Sequence, residues 1–132
     1  MKYQYLSAAD LKADLESDAP ECLILDVRRA EDYAAGHIKS AVTADMDKAM
    51  EGDDASGFAG MKKALLSATG SEIGRENGKI VLVCYAGRAY AQKGTDILVA
   101  MGVNPDKIYT LEGGMRAWNC GGADYATLIA KV

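Results

Sequence analysis

Two short apolar runs stand out along the chain, Cys22-Leu-Ile-Leu25 and Ile80-Val-Leu-Val83. Each is too short for a buried helix and suits a strand covered on both faces, as in the middle of a parallel sheet. Weaker strands are predicted at Tyr3–Leu6, Ala41–Thr43 and Ile108–Leu111. Between them the apolar positions change to helical spacing. Ser7 with Asp10 is an N-cap signal for a helix over Ala8–Glu16, whose Leu11 and Leu15 share one stripe. Residues 29–35 read as one or two helical turns closed by Gly36. Ala89–Met101 reads as a helix ended by Gly102, with Ala91, Ile97, Leu98 and Met101 as its apolar positions. Asn104–Lys107 and Gly113-Gly114 are turns, Met115–Trp118 starts a helical turn, and Tyr125–Lys131 is predicted as a terminal helix. The stretch 45–78 is the least regular: Gly52–Gly57 reads as an exposed acidic loop, Met61–Leu66 as helix and Arg75-Glu-Asn-Gly78 as a turn.

Apolar runs alternating with amphipathic helices predict an α/β fold with a mainly parallel sheet, and no repeat or composition break divides residues 1–132 into more than one domain. Ligands of such sheets bind beyond the carboxyl ends of the strands. Asp26, Arg28, Cys84 and Glu112 fall there. Cys84 ends the second apolar run and opens Cys84-Tyr-Ala-Gly-Arg-Ala-Tyr90, a glycine-containing turn leading into a helix. Such a turn gathers backbone N–H groups and the partial positive charge of the helix start. A cysteine placed there is expected to act as thiolate, the nucleophilic form of the thiol.

Composition narrows the chemistry. Among 132 residues the net charge is -4, without the clustered Lys and Arg of a nucleic-acid partner. A small anionic substrate remains compatible, because a local site can oppose the overall charge. No stretch reaches the length of a membrane span, so no membrane partner is expected. Met1-Lys-Tyr-Gln-Tyr5 lacks the apolar core of a signal peptide, which predicts a cytoplasmic protein. The three cysteines, Cys22, Cys84 and Cys120, are odd in number and widely spaced, and His37 is the single histidine. Neither a disulfide framework nor a metal site is expected from that set, and the thiols are expected to be reduced.

Three separated segments together resemble the rhodanese (sulfurtransferase) family. The first is Leu23-Ile-Leu-Asp-Val-Arg28 followed by Asp32-Tyr33, Gly36-His-Ile38 and Ser40-Ala-Val42. The second is Cys84-Tyr-Ala-Gly-Arg-Ala89. The third is Leu111-Glu-Gly-Gly-Met-Arg-Ala-Trp118. They frame most of the chain from residue 22 to 119. The resemblance implies a five-stranded parallel sheet with helices on both faces. It also implies that Cys84 takes a sulfane sulfur, becomes a persulfide and passes the sulfur to a thiophilic acceptor. No cofactor is implied. The partners expected are a small anionic sulfur donor, such as thiosulfate, and a protein or low-molecular-weight thiol, or cyanide, as acceptor.

The residues assign roles within that chemistry. The loop amides of Tyr85, Ala86, Gly87, Arg88, Ala89 and Tyr90 would surround the sulfur and its donor. Gly87 permits a positive φ, Ala86 and Ala89 leave room, and Arg88 is the loop's fixed cation for a sulfonate. Asp26, Arg28 and Glu112 are candidates for the pocket rim, with Asp26 and Arg28 expected chiefly to tie the strand end to its neighbours. His37 and Trp118 read as structural, Cys22 as a core residue and Cys120 as an incidental, exposed thiol. Two positions depart from the family pattern: Tyr90 stands where Ser or Thr is common, and Ser40 where Gly is. Two other functions compete. One is a catalytically silent rhodanese-like module that binds partner proteins, although such modules usually lose the cysteine. The other is a phosphatase or arsenate reductase, whose C-x5-R loop would place arginine at position 90. That position is Tyr90, and the arginine is Arg88.

Overall fold

The computed structural model describes residues 3–74 and 78–132. In chain order the elements are β1 (Tyr5–Leu6), α1 (Ala8–Leu15), β2 (Cys22–Asp26), α2 (Ala30–Ala35), β3 (His37–Ile38), β4 (Val42–Thr43), α3 (Asp47–Met50) and α4 (Asp54–Thr69). There follow β5 (Lys79–Val83), α5 (Ala89–Ala100), β6 (Ile108–Leu111), α6 (Gly114–Asn119), α7 (Ala123–Ala126) and β7 (Ile129–Ala130). Five strands form one parallel sheet in the order β1-β6-β5-β2-β4. The two apolar runs of the sequence lie side by side, in register from Cys22 opposite Lys79 to Asp26 opposite Val83.

Alternation along these strands feeds two cores. Leu25, Ile80 and Leu82 point to one face, where Ala49 of α3, Met61 and Leu65 of α4, and Ile97 and Leu98 of α5 cover them. Ile24, Val81 and Val83 point to the other, under Leu11 of α1 and Met115 and Trp118 of α6. The fold is therefore the expected α/β sandwich, with helices on both faces of a five-stranded parallel sheet.

Two segments differ from the sequence reading. The acidic stretch read as a loop at 52–57 is helical from Asp54 onward: Asp53 caps α4, its Oδ1 accepting the Ser56 N–H at 3.1 Å. Gly57 looked like loop punctuation because glycine usually is, but it lies inside α4 where the helices press together. A Cβ there would come within 2.6 Å of Ile97 Cδ1 and 2.8 Å of the Ala49 methyl. The predicted terminal helix stops at Ala126, and Ile129–Ala130 instead pairs antiparallel with His37–Ile38. Tertiary contacts redirect the chain here, since Leu128 and Ile129 pack into the core beneath α1 and α6. The turn read at 75–78 falls mostly on residues 75–77, outside the described residues. Ser40 takes φ 72°, a conformation that favours the glycine the family pattern has at this position.

Candidate functional site

Strand β5 delivers Cys84 to the carboxyl edge of the sheet, directly before α5. The residue is only 2% exposed, and its Sγ accepts the Gly87 N–H at 3.2 Å. The chain curls around the sulfur because Gly87 adopts φ 76°. Glycine is required there for space as well: a Cβ would lie 2.8 Å from the Leu111 carbonyl oxygen and 3.0 Å from the Gly113 nitrogen. Helix α5 starts at Ala89, and the amides of its first turn have no intrahelical acceptor. The thiol thus sits where a strand's end, a tight turn and a helix's positive end coincide.

The Gly113-Gly114 turn holds this loop from behind. The Met115 N–H donates to the Cys84 carbonyl at 2.8 Å, and the Arg116 N–H donates to the Tyr85 carbonyl at 3.0 Å. Both loop carbonyls are thereby bound to the first turn of α6, a direction that leaves loop amides free to face the sulfur. Such an approach demands a residue without a side chain. A Cβ on Gly114, at φ 57°, would sit 2.5 Å from the Cys84 oxygen and 2.8 Å from the Ala86 nitrogen. The Gly-Gly pair was legible in the sequence as a turn, whereas its docking against the cysteine loop depends on two strands' ends meeting in space.

Asp26 and Arg28 lie beneath the site and not on its rim. Asp26 is fully buried and Arg28 is 6% exposed. The guanidinium holds the carboxylate in a fork, Nε to Oδ1 at 3.0 Å and Nη2 to Oδ2 at 2.8 Å, while Nη2 also donates to the Gly36 carbonyl at 2.7 Å. The Arg28 N–H donates to Asp26 Oδ1 at 3.1 Å, which bends the chain as it leaves β2. The guanidinium carbon stands 5.8 Å from the Tyr85 ring centre, so the pair supports the loop from below. Arg28→Met would leave a buried carboxylate uncompensated. It is expected to lower unfolding free energy by about 3–5 kcal/mol, measurable by urea denaturation at pH 7.

A second network crosses the face of the site, and it draws in residues the sequence reading missed. The Tyr85 hydroxyl donates to Asp32 Oδ2 and accepts the Arg29 N–H at 3.3 Å. Burial and the bond to Asp32 push the Tyr85 phenol up to about 12, so it remains protonated in the physiological range. The Tyr90 hydroxyl donates to Asp47 Oδ1 at 2.6 Å. The same oxygen accepts Arg29 Nε at 3.1 Å, and the bonds from Tyr90 and Arg29 hold Asp47 below the usual carboxylate range. The two tyrosine rings meet edge to face at 5.4 Å. Asp45 ties the network to the backbone, accepting the Ala30 N–H at 3.0 Å and the Asp47 N–H at 2.8 Å. Asp45 and Asp47 follow edge strand β4 at its carboxyl end, so the rule that singled out Asp26 and Cys84 points to them as well.

The remaining candidates are more peripheral. Arg88 on the loop and Ala89 at the start of α5 are exposed, and Ala86 is half-buried. Glu112 is exposed, its N–H bonded to the Leu6 carbonyl at 2.9 Å. His37 is buried, stacked on Tyr33 with ring centres 3.8 Å apart, and its Nδ1 lies 2.8 Å from the Tyr33 carbonyl. Trp118 is buried and donates its indole N–H to the Tyr125 carbonyl at 3.1 Å. All three cysteines are free; Cys120 is exposed, and burial first, then Asp14, pushes the Cys22 thiol up to about 12. Among the described residues no group of three His, Cys, Asp or Glu side chains is placed to hold a metal ion. Among them, too, no helix is long and apolar enough to cross a membrane.

A parallel α/β sheet carrying a buried cysteine in a glycine turn at its carboxyl edge defines a class, and comparison with known proteins gives the family. The model of the rhodanese-like domain matches residues 7–119. The chain belongs to the rhodanese-like domain family. Solved structures agree in fold. The Alr3790 protein from Anabaena superposes with a TM-score of 0.66 at 22% identity, covering 96% of this chain and 82% of that one. A rhodanese-like domain protein from Staphylococcus aureus superposes at 0.60 with 25% identity, over 90% of this chain and 94% of that one. A human single-domain sulfurtransferase superposes at 0.65 with 19% identity, over 92% of this chain and the whole of that one. No curated protein sequence matches.

Proposed function

We propose that the protein is a sulfurtransferase that carries sulfane sulfur on Cys84. The observation that carries this reading is the Cys84 turn itself: Sγ faces the Gly87 N–H while the Cys84 and Tyr85 carbonyls are bound to α6. Amides presented in this way stabilise negative charge on sulfur before, during and after transfer. With thiosulfate, the thiolate attacks the outer sulfur. A new S–S bond forms, the donor's S–S bond breaks, and sulfite leaves with its electron pair. The persulfide anion of Cys84 remains. A thiophilic acceptor then attacks the outer sulfur; cyanide becomes thiocyanate and the thiolate is regenerated. No proton transfer is required at either step, in keeping with a site without a histidine base.

Arg88, exposed on the loop, is the proposed contact for an anionic donor group. The C-x5-R alternative lacks support, because position 90 is a tyrosine bonded to Asp47. Three free thiols fit a reducing compartment, which we take to be the cytoplasm. The test is direct. Protein treated with thiosulfate and freed of excess reagent should gain the mass of one sulfur atom, and cyanide should remove it. Absence of any gain with every sulfane donor tried would end the sulfurtransferase reading.

A further inference from the structure

Tyr85, the residue after the thiol, is gripped by its main chain and by its side chain. Its carbonyl accepts the Arg116 N–H of α6 at 3.0 Å, and the Cys84 carbonyl before it accepts the Met115 N–H at 2.8 Å. In a trans peptide the N–H lies opposite the carbonyl, so these two bonds turn the Tyr85 and Ala86 amides away from α6. The backbone torsions of residue 85 join those two peptide units. Its side chain is held separately, by α2 and the residue before it: the hydroxyl donates to Asp32 Oδ2 and accepts the Arg29 N–H at 3.3 Å. With its proton and a lone pair both engaged, the hydroxyl is an anchor and is not offered to a donor molecule. The ring rests 5.8 Å from the Arg28 guanidinium carbon and meets the Tyr90 ring edge to face.

An anchor is only as firm as the element that carries it, and α2 is pinned at three points. The Ala30 N–H at its start donates to Asp45 Oδ2 at 3.0 Å. The Tyr33 hydroxyl donates to the Ala41 carbonyl at 2.7 Å, and the Gly36 carbonyl at its end accepts Arg28 Nη2 at 2.7 Å. We propose that Asp32 is a positioning residue: through the Tyr85 hydroxyl it fixes the rotation of the first two peptide units of the cysteine loop, and with them the frame that holds Cys84 ready to react. The proposal rests on the sulfurtransferase reading for the reaction it serves. Asp32 does not touch the reacting atoms. It acts through one hydrogen bond, to a residue 53 positions away in the chain.

The test measures single-turnover sulfur uptake across thiosulfate concentrations, and alkylation of Cys84 by iodoacetamide, followed by mass at its own peptide. Tyr85→Phe removes the hydroxyl, and Asp32→Ala removes the oxygen that accepts from it. Each is expected to lower the limiting rate of uptake about tenfold. The half-saturating thiosulfate concentration should stay within about twofold of the parent's, since neither group touches the donor. Alkylation should slow in step. The double variant should be no slower than the worse single one, as for two partners in one interaction. Asp32→Asn keeps an oxygen for the hydroxyl and should recover most of the loss. Parental rates in Tyr85→Phe, or losses that multiply in the double variant, would overturn the assignment. So would an Asp32→Asn variant as slow as Asp32→Ala, which would place the effect in the charge and not in the bond. If the parent protein takes up no sulfur, the sulfurtransferase reading fails, while the alkylation rates still decide whether Asp32 holds the loop.

Discussion

Cys84→Ser is expected to abolish sulfur uptake. The variant should show no mass gain with thiosulfate or a hydropersulfide, a loss of about a thousandfold or more in single-turnover rate. The reason lies in what surrounds position 84. A hydroxyl there would need a general base to act as nucleophile, and the single imidazole, His37, is committed to stacking on Tyr33. The Gly87 N–H, which suits an anion on sulfur, would serve a neutral hydroxyl only as a hydrogen-bond donor. Because Cys84 is buried, the added polarity is also expected to cost about 1–3 kcal/mol. Cys84→Ala, which adds no polar group, separates the two effects: it should keep near-parental thermal stability and still take no sulfur. Sulfur uptake that persisted in both variants would point to Cys120 or Cys22 as the carrier.

Gly114→Ala is expected to have the second-largest effect, although the residue makes no contact with a donor. Its Cβ would lie 2.5 Å from the Cys84 oxygen and 2.7 Å from the Tyr85 carbonyl carbon, all backbone that cannot rotate away. The positive φ adds roughly 1–2 kcal/mol for a residue with a side chain. The loop must retreat from α6, and the bonds from the Met115 and Arg116 amides lengthen. Displacements of about 1 Å in such a site cost on the order of a hundredfold in rate. Gly113→Ala is the matched control. It suffers a similar φ penalty, at 74°, but its Cβ would meet the Ala117 methyl at 2.6 Å instead of the cysteine loop. Urea denaturation and single-turnover sulfur uptake, measured on both, should show comparable destabilisation with a much greater loss of rate for Gly114→Ala. Equal losses of rate would mean that the turn supports folding and has no particular hold on the loop.

The parts of the fold visible in the sequence are those whose signal is local. The runs at 22–25 and 80–83 are apolar on both faces because both faces are covered, so neighbouring residues alone announce a central parallel strand. Ser7 and Asp10 announce a helix start through a bond spanning three residues, at 3.1 Å. The beginning of α4 escaped because Gly52-Asp-Asp-Ala-Ser-Gly57 has loop composition, and Gly57 is glycine for the sake of Ile97, forty residues later. Strand β7 escaped because it exists only through its pairing with β3.

The site divides in the same way. The thiol, its glycine turn and the helix that follows are contiguous in the chain, and so is the arginine two positions short of a phosphate-binding spacing. Those features belonged to the sequence by itself, as did the Gly-Gly turn and the α/β order of elements. Tertiary structure decided what supports and surrounds the cysteine loop. It buried Asp26 and Arg28 as a supporting pair, bound the Cys84 carbonyl to α6, and joined Tyr85 and Tyr90 to Asp32, Asp47 and Arg29. The physical reason is the range of the interactions. Backbone preference and hydrophobic period act over a few residues, whereas the surroundings of the cysteine loop are set by side chains that only the crossing of separate strands brings within hydrogen-bonding distance.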